Sequence, residues 1–197
     1  MIVGDLRCER IESFRRRRPR LLDDHVNLAH GAGGKASAAL VDAVFMEAFR
    51  NPLLESLGDS AVITLPGGDR LAMSTDSFVV QPRRFPGGSI GELAVHGTCN
   101  DVAMSGAVPS WISAAFVLEE GFPIAELKEI VADMAAAAAD AGVQIVTGDT
   151  KVVPKGAADG MFVTTTGAGV VPAGRKLSAA SVRPGDKVLL SGSMGDT

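Results

Sequence analysis

The chain has 197 residues, 46% of them hydrophobic and 21% charged, with 23 Gly, no Tyr and a formal charge of −4. That length holds one well-cored domain, or one domain and part of another. No apolar run reaches a membrane span, no signal-peptide pattern opens the sequence, and Cys8 and Cys99 have neither metal-site nor disulfide spacing, so a reduced, cytoplasmic setting is expected.

Residues 1–25 carry seven Arg against five acids, while the remainder is net acidic. Arg15 to Arg18 with Arg20 read as a solvated basic N-terminal arm, because a like-charge block resists burial. No aromatic residue interleaves them, so no nucleic-acid partner is expected.

Val26 to Ala29 is a short apolar lead into His30-Gly31-Ala32-Gly33-Gly34-Lys35, a glycine-rich loop closed by lysine. Ala36 to Phe49 follows as a predicted amphipathic helix, with Ala39, Leu40, Ala43, Val44 and Phe45 near the i, i+3, i+4 spacing. Asn51-Pro52 stops it. Glycine lets backbone N–H groups approach phosphate oxygens, and a helix N-terminus adds donors, yet the same residues also make an ordinary surface turn. Ala29 and Ala36 stand where a Walker A loop needs Gly and Ser or Thr, and the match of Gly31, Gly33 and Ala36 to a dinucleotide fingerprint is short. The loop is therefore judged by what accompanies it.

Residues 61–75 read as a hairpin, with Ala61 to Leu65 and Arg70 to Thr75 flanking the turn Pro66-Gly67-Gly68-Asp69. Ser89 with Glu92 is a capping-box signal for a helix reaching about Ser105. Trp111 to Leu118 is a strand, Pro123 opens an Ala-rich helix over 125–141 that Gly142 ends, and Val143 to Thr147 and Met161 to Val171 are further strands. Residues 173–197 read as a linker and the first strand, from Val188, of a truncated second α/β domain. The order predicts an α+β domain over 26–172, a mixed, largely antiparallel sheet with helices on one face. The other face then calls for a cover, which a second copy provides.

Four aspartates recur in small-residue settings: Asp59, Asp76, Asp101 and Asp149. Three are expected at strand ends or turns, with Asn100 and Asp101 inside a helix. Each has an ordinary explanation in capping or turn closure, but together with the glycine loop they suit an Mg–nucleotide site.

At HGAGGK (30–35), STDSFVV (74–80), FPGGSIGELAVHGTCNDVAMSGAVP (85–109), VLEEG (117–121) and VTGDTKVVPKGAADGMF (146–162) the chain closely resembles the HypE family of hydrogenase maturation proteins. That family lies in the superfamily of aminoimidazole ribonucleotide synthetase, thiamine-monophosphate kinase and selenophosphate synthetase. The resemblance runs from about Val26 to the C-terminus. It implies ATP-dependent dehydration of a carbamoyl group on a C-terminal cysteine to a thiocyanate, the cyanide source for nickel–iron hydrogenase. It also implies a homodimer whose sheets close into a β-barrel with ATP near the interface. Expected partners are other maturation proteins, a carbamoyltransferase and an iron–cyanide scaffold.

Carried over by position, Asp59, Asp76, Asp101 and Asp149 become magnesium and phosphate residues. Gly31, Gly33, Gly34, Lys35, Asn100 and Thr150 become ATP contacts, and His96 and Lys151 the candidates for proton transfer or carbamoyl stabilisation. The family's C-terminal domain and terminal cysteine are absent from these residues, so the chain is expected to bind nucleotide without completing the reaction. Selenophosphate synthetase usually has sulfur or selenium where this loop has Ala32, and thiamine-monophosphate kinase lacks HGAGGK and the GTxND helix motif. A non-catalytic nucleotide-binding or dimerisation module is the alternative of another class.

Overall fold

The computed structural model describes residues 20–190 and 192. Arg15 to Arg18, Cys8 and the last five residues lie outside the described residues. Contacts gather into two compact units, Met1–Leu57, which holds the glycine loop, and Gly58–Thr197, which holds the sheet.

In the first unit a 3₁₀ turn, Leu28–Gly31, is capped by Asn27, whose side chain accepts from Ala29 N. Helix α1 (Lys35–Leu40), a π-helical stretch (Val41–Phe45) and α2 (Met46–Phe49) then follow without a break in helical backbone. The expected regular helix is thus interrupted. Wider π spacing shifts the phase of the apolar stripe. Ala39 and Met46 are buried, while Val44 and Phe45 are each 45% exposed. The helix stops before Pro52 as expected, and Asn51 Oδ1 accepts from Leu53 N and Leu54 N to start a 3₁₀ turn, Leu54–Ser56.

The second unit is built on a five-stranded sheet. Its strands are β1 (Ala61–Thr64), β2 (Arg70–Phe78), β5 (Val108–Glu119), β6 (Gln144–Val153) and β7 (Met161–Val171), in the order β1-β2-β7-β5-β6. Every pairing is antiparallel except β5 with β6. A minor ribbon joins β3 (Arg84–Phe85) to β4 (Gly88–Ser89). Helices α3 (Ile90–Met104) and α4 (Ile124–Asp140) cover one face, so the expected mixed sheet with one helical layer is what forms. Ser89 caps α3 by accepting from Glu92 N. Pro123 is the N-cap of α4, one position earlier than its expected place in the first turn, and Gly142, at φ 68°, ends that helix.

Alternation along β7 shows how the layers meet. Met161, Val163, Thr165, Gly167, Gly169 and Val171 are buried on the helix side, whereas the residues alternating with them face the open side. Glycine allows the closest approaches: a Cβ on Gly91 would lie 2.5 Å from the Ile130 carbonyl oxygen of α4, and one on Gly167 would lie 2.7 Å from the Thr98 side chain. The core joins Ile90, Val95, Ile112, Ile130, Met134 and Val163. Among the described residues of this unit no second layer covers the open face, where Met73, Trp111 and Val170 are each more than 40% exposed. No closed barrel forms within the unit.

After β7 the chain is pinned by arginines. Arg70 donates to the Pro172 and Arg175 carbonyls, and Arg175 to that of Gly106. Val188 to Leu190 does not form the expected strand; it pairs with nothing in the sheet and Val188 is 99% exposed. An apolar run becomes a strand only when an edge accepts its backbone groups. Among the described residues no helix is long and apolar enough to cross a membrane.

Candidate functional site

Three of the four aspartates come together where the start of β1, the middle of β2 and the middle of α3 meet. Ser74 is the hub. Its hydroxyl lies 2.7 Å from the Asp59 carbonyl oxygen and 3.2 Å from Asp101 Oδ2, and its side chain is buried among them. Asp76, two residues on along β2, points to the same face. It pairs in register with Thr165, which is buried under α3. Burial raises the Asp101 pKa, the negative charges of Asp76 and Asp59 raise it further, and the Ser74 hydrogen bond opposes them. This group therefore carries more negative charge than its surroundings compensate, which suits a hard cation.

Among the described residues no three His, Cys, Asp or Glu side chains stand close enough to enclose a metal ion by themselves. Magnesium commonly takes only one or two carboxylates and completes its shell with water and phosphate oxygens. The all-oxygen donor set and the uncompensated charge fit that mode.

Asp149 stands apart. It lies within β6, not at a strand end, and pairs in register with Ala115, whose neighbours Ala114 and Phe116 take the helix-covered side. Asp149 and Lys151 therefore face the open side of the sheet, opposite to Asp76. Three strand steps, roughly 14 Å, also separate β6 from β2. A single chain thus does not assemble the four aspartates as one group. Asp149 instead pairs with Lys151, Oδ2 to Nζ 3.2 Å, and the hydrogen bond from Lys151, then that from the Thr150 backbone, lowers its pKa. Thr150 is exposed beside them.

His96 and Asn100 are exposed on α3, four residues apart on its outer stripe, with Asn100 adjoining Asp101. In the first unit, Gly33 has φ 73° and donates its N–H to Ser37 Oγ. A Cβ at Gly31, Gly33 or Gly34 would meet nothing within 4 Å, so the loop has room for a ligand backbone or phosphate group beside it. Gly33 and Gly34 border a pocket of about 570 Å³ whose wall also includes Ser37, Asp42, Met46 and Arg50. Lys35 is exposed at the start of α1. His30 is buried, with Nδ1 accepting from Asn27 N and Nε2 3.4 Å from Asp23, which makes it a structural clasp.

Two further residues, Ser74 and Glu119, shape these surroundings from within the motifs. Ser74 was legible in principle, since period-two alternation puts it on the face of Asp76. Glu119 was not, because its partners, the Gly156 and Gly160 amides, are more than 35 residues away.

Residues 57–171 match the family model of the AIR synthase related protein, N-terminal domain. Carbamoyl dehydratase HypE of Cupriavidus necator is 57% identical over 171 residues, which are 87% of this chain and 49% of that protein. The same-named protein of Escherichia coli K12 is 50% identical over 177 residues, 88% of this chain and 53% of that one. The chain thus spans about half the length of the curated relatives it matches.

Among solved structures, a HypE–HypF complex is 50% identical with a TM-score of 0.69, covering 75% of this chain and 47% of that one. HypE in complex with ATP is 53% identical with a TM-score of 0.52, covering 75% and 44%. AaThiL complexed with AMPPCP and TMP, at 13% identity and a TM-score of 0.57, shares the fold.

Proposed function

The chain belongs to the AIR synthase related family, its residues corresponding to the N-terminal portion of HypE proteins, and from that membership we propose that it is the Mg–ATP-binding half of a carbamoyl dehydratase. The proposed reaction removes water from a carbamoyl group on a C-terminal cysteine to leave a thiocyanate, for cyanide supply to nickel–iron hydrogenase. The observation that carries it is the Asp59, Asp76 and Asp101 group around Ser74, in a chain 53% identical to a HypE solved with ATP.

When bound, Mg–ATP supplies the phosphoryl group that turns the carbamoyl oxygen into a leaving group. One or two carboxylates of the Asp59, Asp76 and Asp101 group would hold the cation, with water and phosphate oxygens completing its shell, and so lessen repulsion between carboxylates and phosphates. Gly31, Gly33, Gly34 and Lys35 offer donors and positive charge to phosphate oxygens. Asn100 and Thr150 are hydrogen-bonding contacts. Lys151 stabilises charge at the reacting oxygen, and His96 is the candidate to accept a proton. Positioning and charge stabilisation are the main demands of phosphoryl transfer, so this residue set is sufficient in kind.

A homodimer through residues 61–75, 111–118 and 161–171 would cover the open sheet face and close the barrel expected for this fold. Asp149 and Lys151 lie on that face, so they act at the interface. A truncated second domain after residue 172 and a cytoplasmic location complete the proposal. The likeness to HypE in a HypE–HypF complex supports docking to other maturation proteins, a carbamoyltransferase and an iron–cyanide scaffold among them.

Calorimetry with ATP, with and without magnesium, on the parent, Asp76→Ala and Asp149→Ala tests the reading. Binding is expected to require magnesium in the parent, to lose that component in Asp76→Ala and to keep it in Asp149→Ala, whose carboxylate lies on the other face of the sheet. Equal binding in all six titrations would leave the aspartates as turn and strand residues only.

A further inference from the structure

We propose that Glu119 is a positioning residue for Lys151, holding the end of β6 in register through the loop that follows it; this rests on the role given to Lys151 above.

β6 is an edge strand, so a single ladder, to β5, holds it. Lys151 pairs with Val117 and Val153 with Glu119, which places Lys151 two residues from the end where the strand would fray. Glu119 secures that end with both its backbone and its side chain. Its carboxylate accepts from Gly156 N through Oε1 and from Gly160 N through Oε2. Its own N–H donates to the Gly160 carbonyl at 2.8 Å, and that of Glu120 donates to the Val153 carbonyl at 2.8 Å. One side chain thereby closes residues 154–160 between β6 and β7.

Both amide donors sit on glycines with left-handed backbones, φ 84° at Gly156 and 73° at Gly160. Such conformations turn N–H groups inward onto one anion, and a side chain at either site would strain them. Gln81 Nε2 donating to Asp159, and the Arg83 guanidinium lying against Gly160, brace the loop from outside. The Glu119 pKa is lowered by the two backbone hydrogen bonds, in line with a carboxylate held charged. No second ladder replaces these contacts if the carboxylate is removed. Fraying then reaches Lys151 before it reaches Asp149.

The test uses the full-length reading frame with Mg–ATP as probe and a double-mutant cycle of Glu119→Ala and Lys151→Ala. Glu119→Ala is expected to speed amide exchange at Lys151, Val152 and Val153 and to slow ATP-dependent turnover at saturating Mg–ATP roughly tenfold, or about 1.4 kcal/mol. In the Lys151→Ala background the turnover effect should vanish, whereas the fall in thermal midpoint should persist. Glu119→Gln keeps one acceptor and should fall between. Equal Glu119→Ala effects on turnover in both backgrounds, or unchanged exchange at 151–153, would overturn this inference alone. Lys151→Ala without effect by itself would overturn the functional reading of Lys151, and this role of Glu119 with it.

Discussion

The Asp101 carboxylate on α3 lies 3.2 Å from the Ser74 hydroxyl on β2, so a helix and a strand meet through a polar contact beside two further carboxylates. Burial, Asp76 and Asp59 all disfavour the charged form of Asp101. Asp101→Asn removes that charge and leaves an oxygen for Ser74. The variant is expected to melt at a higher temperature than the parent in magnesium-free buffer. Added magnesium with ATP should stabilise the parent more, because only a state that binds ligand gains from it. Scanning calorimetry of both proteins in both buffers checks this, and the same midpoint order throughout would count against the cation reading.

A second polar contact is structural. Thr98 and Thr165 hydroxyls lie 2.6 Å apart, fully buried, and Thr165 donates to the Ala94 carbonyl. Thr165→Val leaves the Thr98 hydroxyl without that partner, at a cost of about 1–3 kcal/mol. The double variant with Thr98→Val should cost less than the sum of the single changes, since both polar groups then leave together. Urea unfolding of the four proteins measures the coupling.

Gly91→Ala sets helix propensity against packing. Alanine is better than glycine in a helix by about 1 kcal/mol. The added Cβ, however, falls 2.5 Å from a backbone oxygen of α4, which forces α3 and α4 apart. Overpacking typically costs about 1–3 kcal/mol, so net destabilisation is expected in urea.

Glu119 predicts an acid-side loss of stability. The sign follows from its lowered pKa: the unfolded chain binds the proton more readily, so stability rises with pH across this interval. The contribution is complete above the ordinary glutamate range and lost as pH falls through the folded-state pKa. Glu119→Gln should flatten that part of the stability–pH curve, followed by circular dichroism.

The open sheet face predicts self-association. Glutamate at Met73 and Trp111, now 43% and 42% exposed on that face, would place charge inside the proposed dimer. Sedimentation is expected to show dimer for the parent and monomer for the double variant, with unchanged far-ultraviolet dichroism. A monomeric parent at micromolar concentration would count heavily against the dimer.

What was legible in the sequence was local. Period-two runs and turn chemistry placed the hairpin over 61–75, Ser89 and Glu92 placed the start of α3, and Gly142 the end of α4, because each signal acts within a few residues. The glycine loop, the four aspartates and the family resemblance were likewise readable from residue order alone.

Tertiary structure alone decided what pairs with what. Val188 to Leu190 has strand composition but pairs with neither edge of the sheet, so it is not a strand. Asp76 and Asp149 have similar neighbours in sequence, yet the register of β2 against β7 turns one toward the helices, while that of β6 against β5 turns the other to the open face. A one-residue shift in either pairing would exchange those faces. Register depends on hydrogen bonds between segments far apart in the chain, such as Thr75 with Thr165 or Glu119 with Gly160, and no local pattern encodes them.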